Sequence, residues 1–217
     1  MQYKVKLIIL YILLGAGGLW HLLGVFQSTM AWLAGPMLIG MGLWIGWEFY
    51  VALERHRRGQ YIIWALFVII VSFLLEKVGV QTGVIFGRYE YGDVLFPSFD
   101  GVPIAIGFAW LLVALSSVAV AHFLLDWLAL PTSCKTLLGG AILMVIFDFV
   151  LERVAMKLGY WQWLDGTVPW ENYSAWLAAG LVFLLVGWLL RIFPKKMPHI
   201  GIHFYSAQLM YFGLVLI

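Results

Sequence analysis

Seven stretches of about 20 apolar residues, each long enough to cross a hydrocarbon core, follow one another along this chain with short polar breaks between them. They fall at 7–26, 30–53, 60–79, 102–127, 137–158, 173–193 and 200–217. Lipid offers no partner to a backbone N–H or C=O, so such stretches must pair their own groups as helices. The expected fold is all-α: a polytopic membrane helix bundle of about seven helices, with 1–217 forming a single integral membrane domain. Composition agrees, since 64% of the 217 residues are hydrophobic and 11% charged, where a soluble domain carries roughly 25% charged. A soluble enzyme and a disordered chain are thereby excluded. A net charge of +2 with scattered Lys and Arg also argues against a nucleic-acid partner. The single cysteine, Cys134, leaves no internal disulfide and no Cys-based metal site.

Turn chemistry marks the breaks at 27–29, 54–59, 131–133 and 194–198. Lys4 and Lys6 ahead of the first run resemble the start of a signal peptide. That run is longer than a signal core and lacks a clear cleavage site, so it is expected to remain as a helix. Nine basic residues fall on the N-terminal side of the membrane: Lys4, Lys6, Arg55, Arg57, Arg58, Lys135, Arg191, Lys195 and Lys196. Four fall opposite: Lys77, Arg88, Arg153 and Lys157. This asymmetry predicts an integral protein of the cell (cytoplasmic) membrane, N-terminus in the cytoplasm and C-terminus outside. Glu76, Glu90, Asp93, Asp100, Glu152, Asp165 and Glu171 gather toward the outer face, as do the longest loops, 80–101 and 159–172.

Those two loops resemble each other. Phe73-Leu74-Leu75-Glu76-Lys77-Val78 answers to Phe149-Val150-Leu151-Glu152-Arg153-Val154, and 87–93 answers to 159–165, with Tyr89-Glu90-Tyr91 opposite Trp161-Gln162-Trp163. Val102-Pro103 with Trp110 answers to Val168-Pro169 with Trp176. Each unit is an ascending helix ending in Glu-Lys/Arg, an aromatic-x-aromatic loop, and a descending helix opened by proline, which is favoured at a helix start. Both units run in the same direction, giving a parallel internal repeat of helices 3-4 and 5-6, and repeat interfaces are where membrane proteins build sites. The copies differ where Asp148 replaces Ser72 and where Gln162 replaces Glu90.

Carboxylates inside a bilayer cost about 2.5–3.5 kcal/mol each on insertion scales and are functional by default. Glu48, Glu76, Asp148 and Glu152 are the candidates. Asp148 and Glu152 are spaced i, i+4 and share one helix face, while Glu76 lies at the depth of Glu152. Converging out of water, they cannot all ionise, so at least one is expected to keep its proton and serve as a general acid. The bland alternative has Glu76 with Lys77, and Glu152 with Arg153, snorkelling to water; Asp148 has no basic residue within a turn. Glu48, beside Trp44 and Trp47, reads as structural. Tyr89, Tyr91, Tyr160, Trp161, Trp163, Trp170 and Tyr173 surround the acids on one side. They fit an interfacial anchor belt, and equally a ring-lined site that stabilises a developing cation.

Other chemistry finds no support. His199 and His203 lack a third metal ligand, the clustered histidines of a diiron hydroxylase are missing, and no dinucleotide fingerprint follows a strand. The glycines at 15, 17, 18, 42 and 46 read as helix-packing surfaces. The last span has no lysine for a retinal Schiff base.

The segments TGVIFGRYEYGD and GVPIAI with a following Trp at 82–110, and VLERVA, GYWQW and VPWENYSAW at 150–176, resemble the two signature regions of the CruF-like carotenoid hydratases. The likeness covers most of helices 3 to 6. One departure is Arg153, where the family pattern implies proline after the Glu. The resemblance implies an integral membrane enzyme, a carbon–oxygen lyase, that adds water to the acyclic (ψ) end of a carotenoid such as γ-carotene, lycopene or a C50 precursor. It would do so with no cofactor and no metal, alongside other enzymes of the pathway. On that footing Asp148, assisted by Glu152 or Glu76, donates the proton. Tyr89, Tyr91, Trp161 and Trp163 stabilise the cation, and Asn172, Glu90 or Tyr173 positions the water. A pI near 8.6 favours γ-carotene or lycopene over a C50 substrate, since a salt-adapted surface would be acidic. The alternatives are a membrane lycopene cyclase, which starts with the same protonation, and a non-enzymatic carotenoid- or lipid-binding protein.

Overall fold

The computed structural model describes residues 2–217, and long helices dominate it. In chain order the elements are α1 (Tyr3–Leu22), α2 (Gln27–Ala52), a 3-10 turn (Arg55–Arg57), α3 (Arg58–Thr82), β1 (Tyr89–Tyr91), β2 (Ser98–Phe99), β3 (Val102–Pro103) and α4 (Ala105–Leu125). Then come α5 (Thr132–Cys134), a π-helical turn (Lys135–Gly139), α6 (Gly140–Lys157), β4 (Trp161–Trp163), α7 (Trp170–Leu189) and α8 (Ile200–Leu216). Among the described residues six helical rods are long and apolar enough to cross a membrane, with α5 through α6 counting as one. The last apolar helix, α8, is 17 residues long, shorter than those six. The protein is thus an all-α polytopic membrane bundle.

Helix α4 is the axis. It is buried from Ala105 to Gly107 and again from Trp110 to Ala121, on every face, and a helix apolar all round belongs at a core. It packs against α2, α3, α6 and α8. Small residues permit the close approach that van der Waals packing in lipid requires. A Cβ at Gly107 would sit 2.5 Å from the Ile69 carbonyl oxygen of α3, and one at Gly42 would sit 2.8 Å from the Phe108 carbonyl oxygen of α4.

Several boundaries differ from the sequence expectation. The break expected at 27–29 lies earlier, where Gly24 and Phe26 take positive φ, and Gln27 already opens α2. Helix α1 starts at Tyr3, so Lys6 lies within it, and its Nζ reaches Glu48 Oε1 of α2 at 2.5 Å. Trp44 Nε1 donates to the same oxygen at 3.3 Å, so Glu48 has the structural role expected of it. Pro103 is not the first residue of α4: Val102–Pro103 pairs with Ser98–Phe99 as a small hairpin, and the helix follows. Pro169 does stand immediately before α7.

Gly107→Ala should lower the thermal midpoint of the detergent-solubilised protein, since overpacking costs about 1–3 kcal/mol. Gly40→Ala, where an added Cβ meets nothing within 4 Å, should leave it unchanged or raise it by the better helix propensity of alanine.

Candidate active site

The two resembling loops meet at one end of the bundle as a two-stranded antiparallel ribbon. Tyr89 pairs with Trp163, Glu90 with Gln162, and Tyr91 with Trp161. By sequence correspondence Tyr89 matches Trp161, Glu90 matches Gln162 and Tyr91 matches Trp163, so Glu90 faces its own counterpart while each flanking aromatic faces the counterpart of the other. That crossed pattern is what a two-fold relation between like units produces. Gly92 makes the approach feasible: its N–H donates to the Tyr160 carbonyl at 2.9 Å, and a Cβ there would lie 2.3 Å from the Gly159 oxygen. Deeper in the bundle the matching tryptophans Trp110 and Trp176 stack with ring centres 3.8 Å apart and planes 15° from parallel.

Strand alternation turns Tyr89, Tyr91, Trp161 and Trp163 inward together, and all four line one cavity with the acids. Glu76 Oε2 accepts hydrogen bonds from the Tyr89 hydroxyl and, at 2.8 Å, from Tyr91, while its Oε1 accepts from Trp110 Nε1 at 2.9 Å. Glu152 Oε2 accepts from Trp161 Nε1 at 2.9 Å and Trp163 Nε1 at 2.7 Å. Asn172 Nδ2 bridges two acids, donating to Asp148 Oδ2 at 2.7 Å and to Glu152 Oε1 at 3.3 Å. Asp148 is fully buried, and its Oδ1 has no hydrogen-bond partner among the described residues. Burial first, and the Glu76 carboxylate second, hold the Tyr89 and Tyr91 phenols above their ordinary range. Both therefore stay protonated and act as donors.

The acids do not snorkel. Lys77 turns to Asp100 at 2.5 Å, and the Arg153 guanidinium lies over the Phe149 ring at 5.2 Å. Glu76 and Glu152 instead point into a cavity of about 210 Å³ shared with Asp148. Of the sequence candidates, Glu76, Asp148, Glu152, Tyr89, Tyr91, Trp161, Trp163 and Asn172 converge there. Glu90 and Tyr173 do not. The alternation that turns Tyr89 and Tyr91 inward leaves Glu90 exposed. Tyr173 is one helical step from Asn172 and packs on the Phe149 and Trp170 rings outside the cavity. Of the other surrounding aromatics, Tyr160 lines the cavity and Trp170 is exposed. His203 serves packing, its Nδ1 lying 3.1 Å from the Tyr11 hydroxyl.

The cavity has members that the sequence candidates omit. Trp110 and Trp176, matching residues of the repeat, both line it. Gln208 of α8 is buried and lines the same space, its Nε2 donating to the Phe204 carbonyl at 2.9 Å. It is the one amide in the last span, a signal of the kind that an intramembrane polar residue gives.

The family described as "Carotenoid biosynthesis protein" matches residues 29–216. The bisanhydrobacterioruberin hydratase of Haloarcula japonica is 33% identical over 119 residues. That match takes in 53% of this chain and 40% of the relative, less than half of the latter's length. No solved structure matches the chain. With nearly all of its length covered by the family match, the chain belongs to the carotenoid biosynthesis protein family.

Proposed function

We propose that this protein is a carotenoid hydratase that adds water to the terminal double bond of an acyclic carotenoid end. One observation carries the reading: a buried, ring-lined cluster of three carboxyl groups in which every oxygen accepts a hydrogen bond except Asp148 Oδ1. Glu76 and Glu152 are met only by donors, which suits the ionised form of each. Asp148 Oδ1 meets none, which makes it the oxygen able to carry a proton toward substrate.

The reaction follows from these parts. The Asp148 O–H bond breaks and its proton joins the less substituted alkene carbon, while the π electrons form the new C–H bond. Positive charge is left on the tertiary carbon. The ring faces of Tyr89, Trp161 and Trp163 attract that charge, and the fixed carboxylates of Glu76 and Glu152 stabilise it without reorganising. Water then supplies a lone pair to the cation, a C–O bond forms, and the surplus proton returns to the Asp148 carboxylate. The product is a tertiary alcohol, and nothing is oxidised or reduced. Asn172 positions Asp148 and Glu152 relative to each other. The substrate class extends over γ-carotene, lycopene and C50 precursors. The excess of basic residues on the N-terminal side supports a cytoplasmic membrane location, with residues 1–217 acting as one membrane domain and the acid cavity toward the outer face.

In a carotenoid-producing host, Asp148→Asn should reduce the product heavier by one water at least about a hundredfold, the contribution expected of a general acid. Unchanged conversion would overturn the assignment of Asp148. A new pigment of unchanged mass would indicate a cyclase, and unaltered pigments with wild-type protein would indicate a carotenoid- or lipid-binding role. Asn172→Leu removes the donor shared by Asp148 and Glu152 and should destabilise the protein by about 1–3 kcal/mol. Thermal unfolding in detergent reads that loss, and conversion should fall with it.

A further inference from the structure

We infer that the substrate reaches the acids through a lipid-facing slot between α1 and α2, so that one end of the molecule enters the protein while the remainder stays in the bilayer. This rests on the hydratase reading above and adds to it a route and a basis for selectivity. Helices α1 and α2 are consecutive yet barely touch: α1 packs along α8, and α2 packs along α4. The space between them is continuous with the acid cavity, whose lining runs from Asp148 and Glu152 out to Leu13 and Gly17 on α1 and to Met30 and Leu33 on α2. Leu13 is 45% exposed and Leu33 48% exposed, so the lining reaches the outer surface of the bundle.

The chemistry of the slot is that of a hydrocarbon chain. Leucine and methionine dominate it, and methionine adapts to irregular apolar shapes. At Gly17 the nearest neighbours of an added Cβ would be the Tyr211 ring at 3.5 Å and the Met30 methyl at 3.6 Å, both ordinary contact distances. Glycine there keeps open the gap that a larger side chain would fill. Size requires an opening as well. A cavity of about 210 Å³ is smaller than the roughly 300–1,000 Å³ of a site that encloses a drug-sized ligand. An extended polyene is longer than such a ligand and cannot be enclosed. The far end therefore stays outside, and the protein selects on the acyclic end and the isoprene units next to it.

The test measures two quantities on the full-length protein: conversion to the product heavier by one water, and carotenoid co-purified per protein by visible absorbance. Wild type should convert a fully acyclic carotenoid and one with a ring at the opposite end at rates within about threefold of each other. Gly17→Trp should cut both conversion and bound pigment at least tenfold. Ile63→Trp, on the exposed face of α3, should change neither. Should Gly17→Trp fail to fold, Leu33→Trp at the mouth of the slot carries the same expectation. A folded slot variant that keeps its pigment and its conversion overturns the inference, as does a wild type that rejects the ring-ended substrate. Pigment that is bound by wild type, lost in Gly17→Trp and never hydrated would uphold the slot and overturn the hydratase reading instead.

Discussion

Three carboxyl groups buried in an apolar helix bundle are the constraint on which the rest of this structure turns. Each would cost several kcal/mol in hydrocarbon if left alone, and among the described residues no lysine or arginine forms an ion pair with them. Hydrogen-bond donors carried on aromatic rings meet that cost. The ribbon formed by Tyr89–Tyr91 and Trp161–Trp163 delivers four of them, Trp110 supplies a fifth from within the bundle, and the Asn172 amide adds a donor of its own. The same side chains that satisfy the acids wall the cavity. On the proposed reading, stability and chemistry draw on one set of residues, and substitutions in it should move both.

The two halves of the site share a sequence pattern but differ in the contacts they make. In the first unit Glu76 is fully met by two phenols and an indole, and Ser72, at the position matching Asp148, bonds to the Ile69 carbonyl of its own helix at 3.3 Å. In the second unit that serine position is an aspartate, and Asn172, one turn before Trp176, turns to hold it. A symmetric scaffold of two glutamates thus acquires a single unsymmetrical acid. Glu90 pairs with its own counterpart Gln162 at the centre of the ribbon, and the stacked Trp110 and Trp176 form a second pair of matching residues in contact.

Much of this was legible in the sequence because the residues concerned break the rule of their surroundings. Asp148 and Glu152 stand out in an apolar run at a spacing that fixes a shared face, and the repeat announced the aromatic loops. What stayed hidden follows equally from physics. Glu90 and Tyr173 belong to the right motifs, but strand alternation and a single helical step turn them away, and motif membership does not encode facing. Gln27 reads as a turn residue yet opens α2, because the turn is made by positive φ at Gly24 and Phe26. The cavity lining from α1 and α2 was invisible for a different reason: a leucine facing a substrate and a leucine facing lipid obey the same preference. Only the sparse packing between those helices tells them apart.

The central claim is that a carboxylic acid protonates the alkene and water captures the resulting cation. Incubating the purified protein with an acyclic carotenoid in deuterium oxide enriched in heavy oxygen tests it most directly by mass spectrometry of the product. The account predicts one solvent-derived oxygen in the product and deuterium on the carbon next to the new carbinol, with both lost in the Asp148→Asn protein. A product that takes up deuterium but no solvent oxygen would contradict it, because the cation would then be quenched by a neighbouring double bond and not by water.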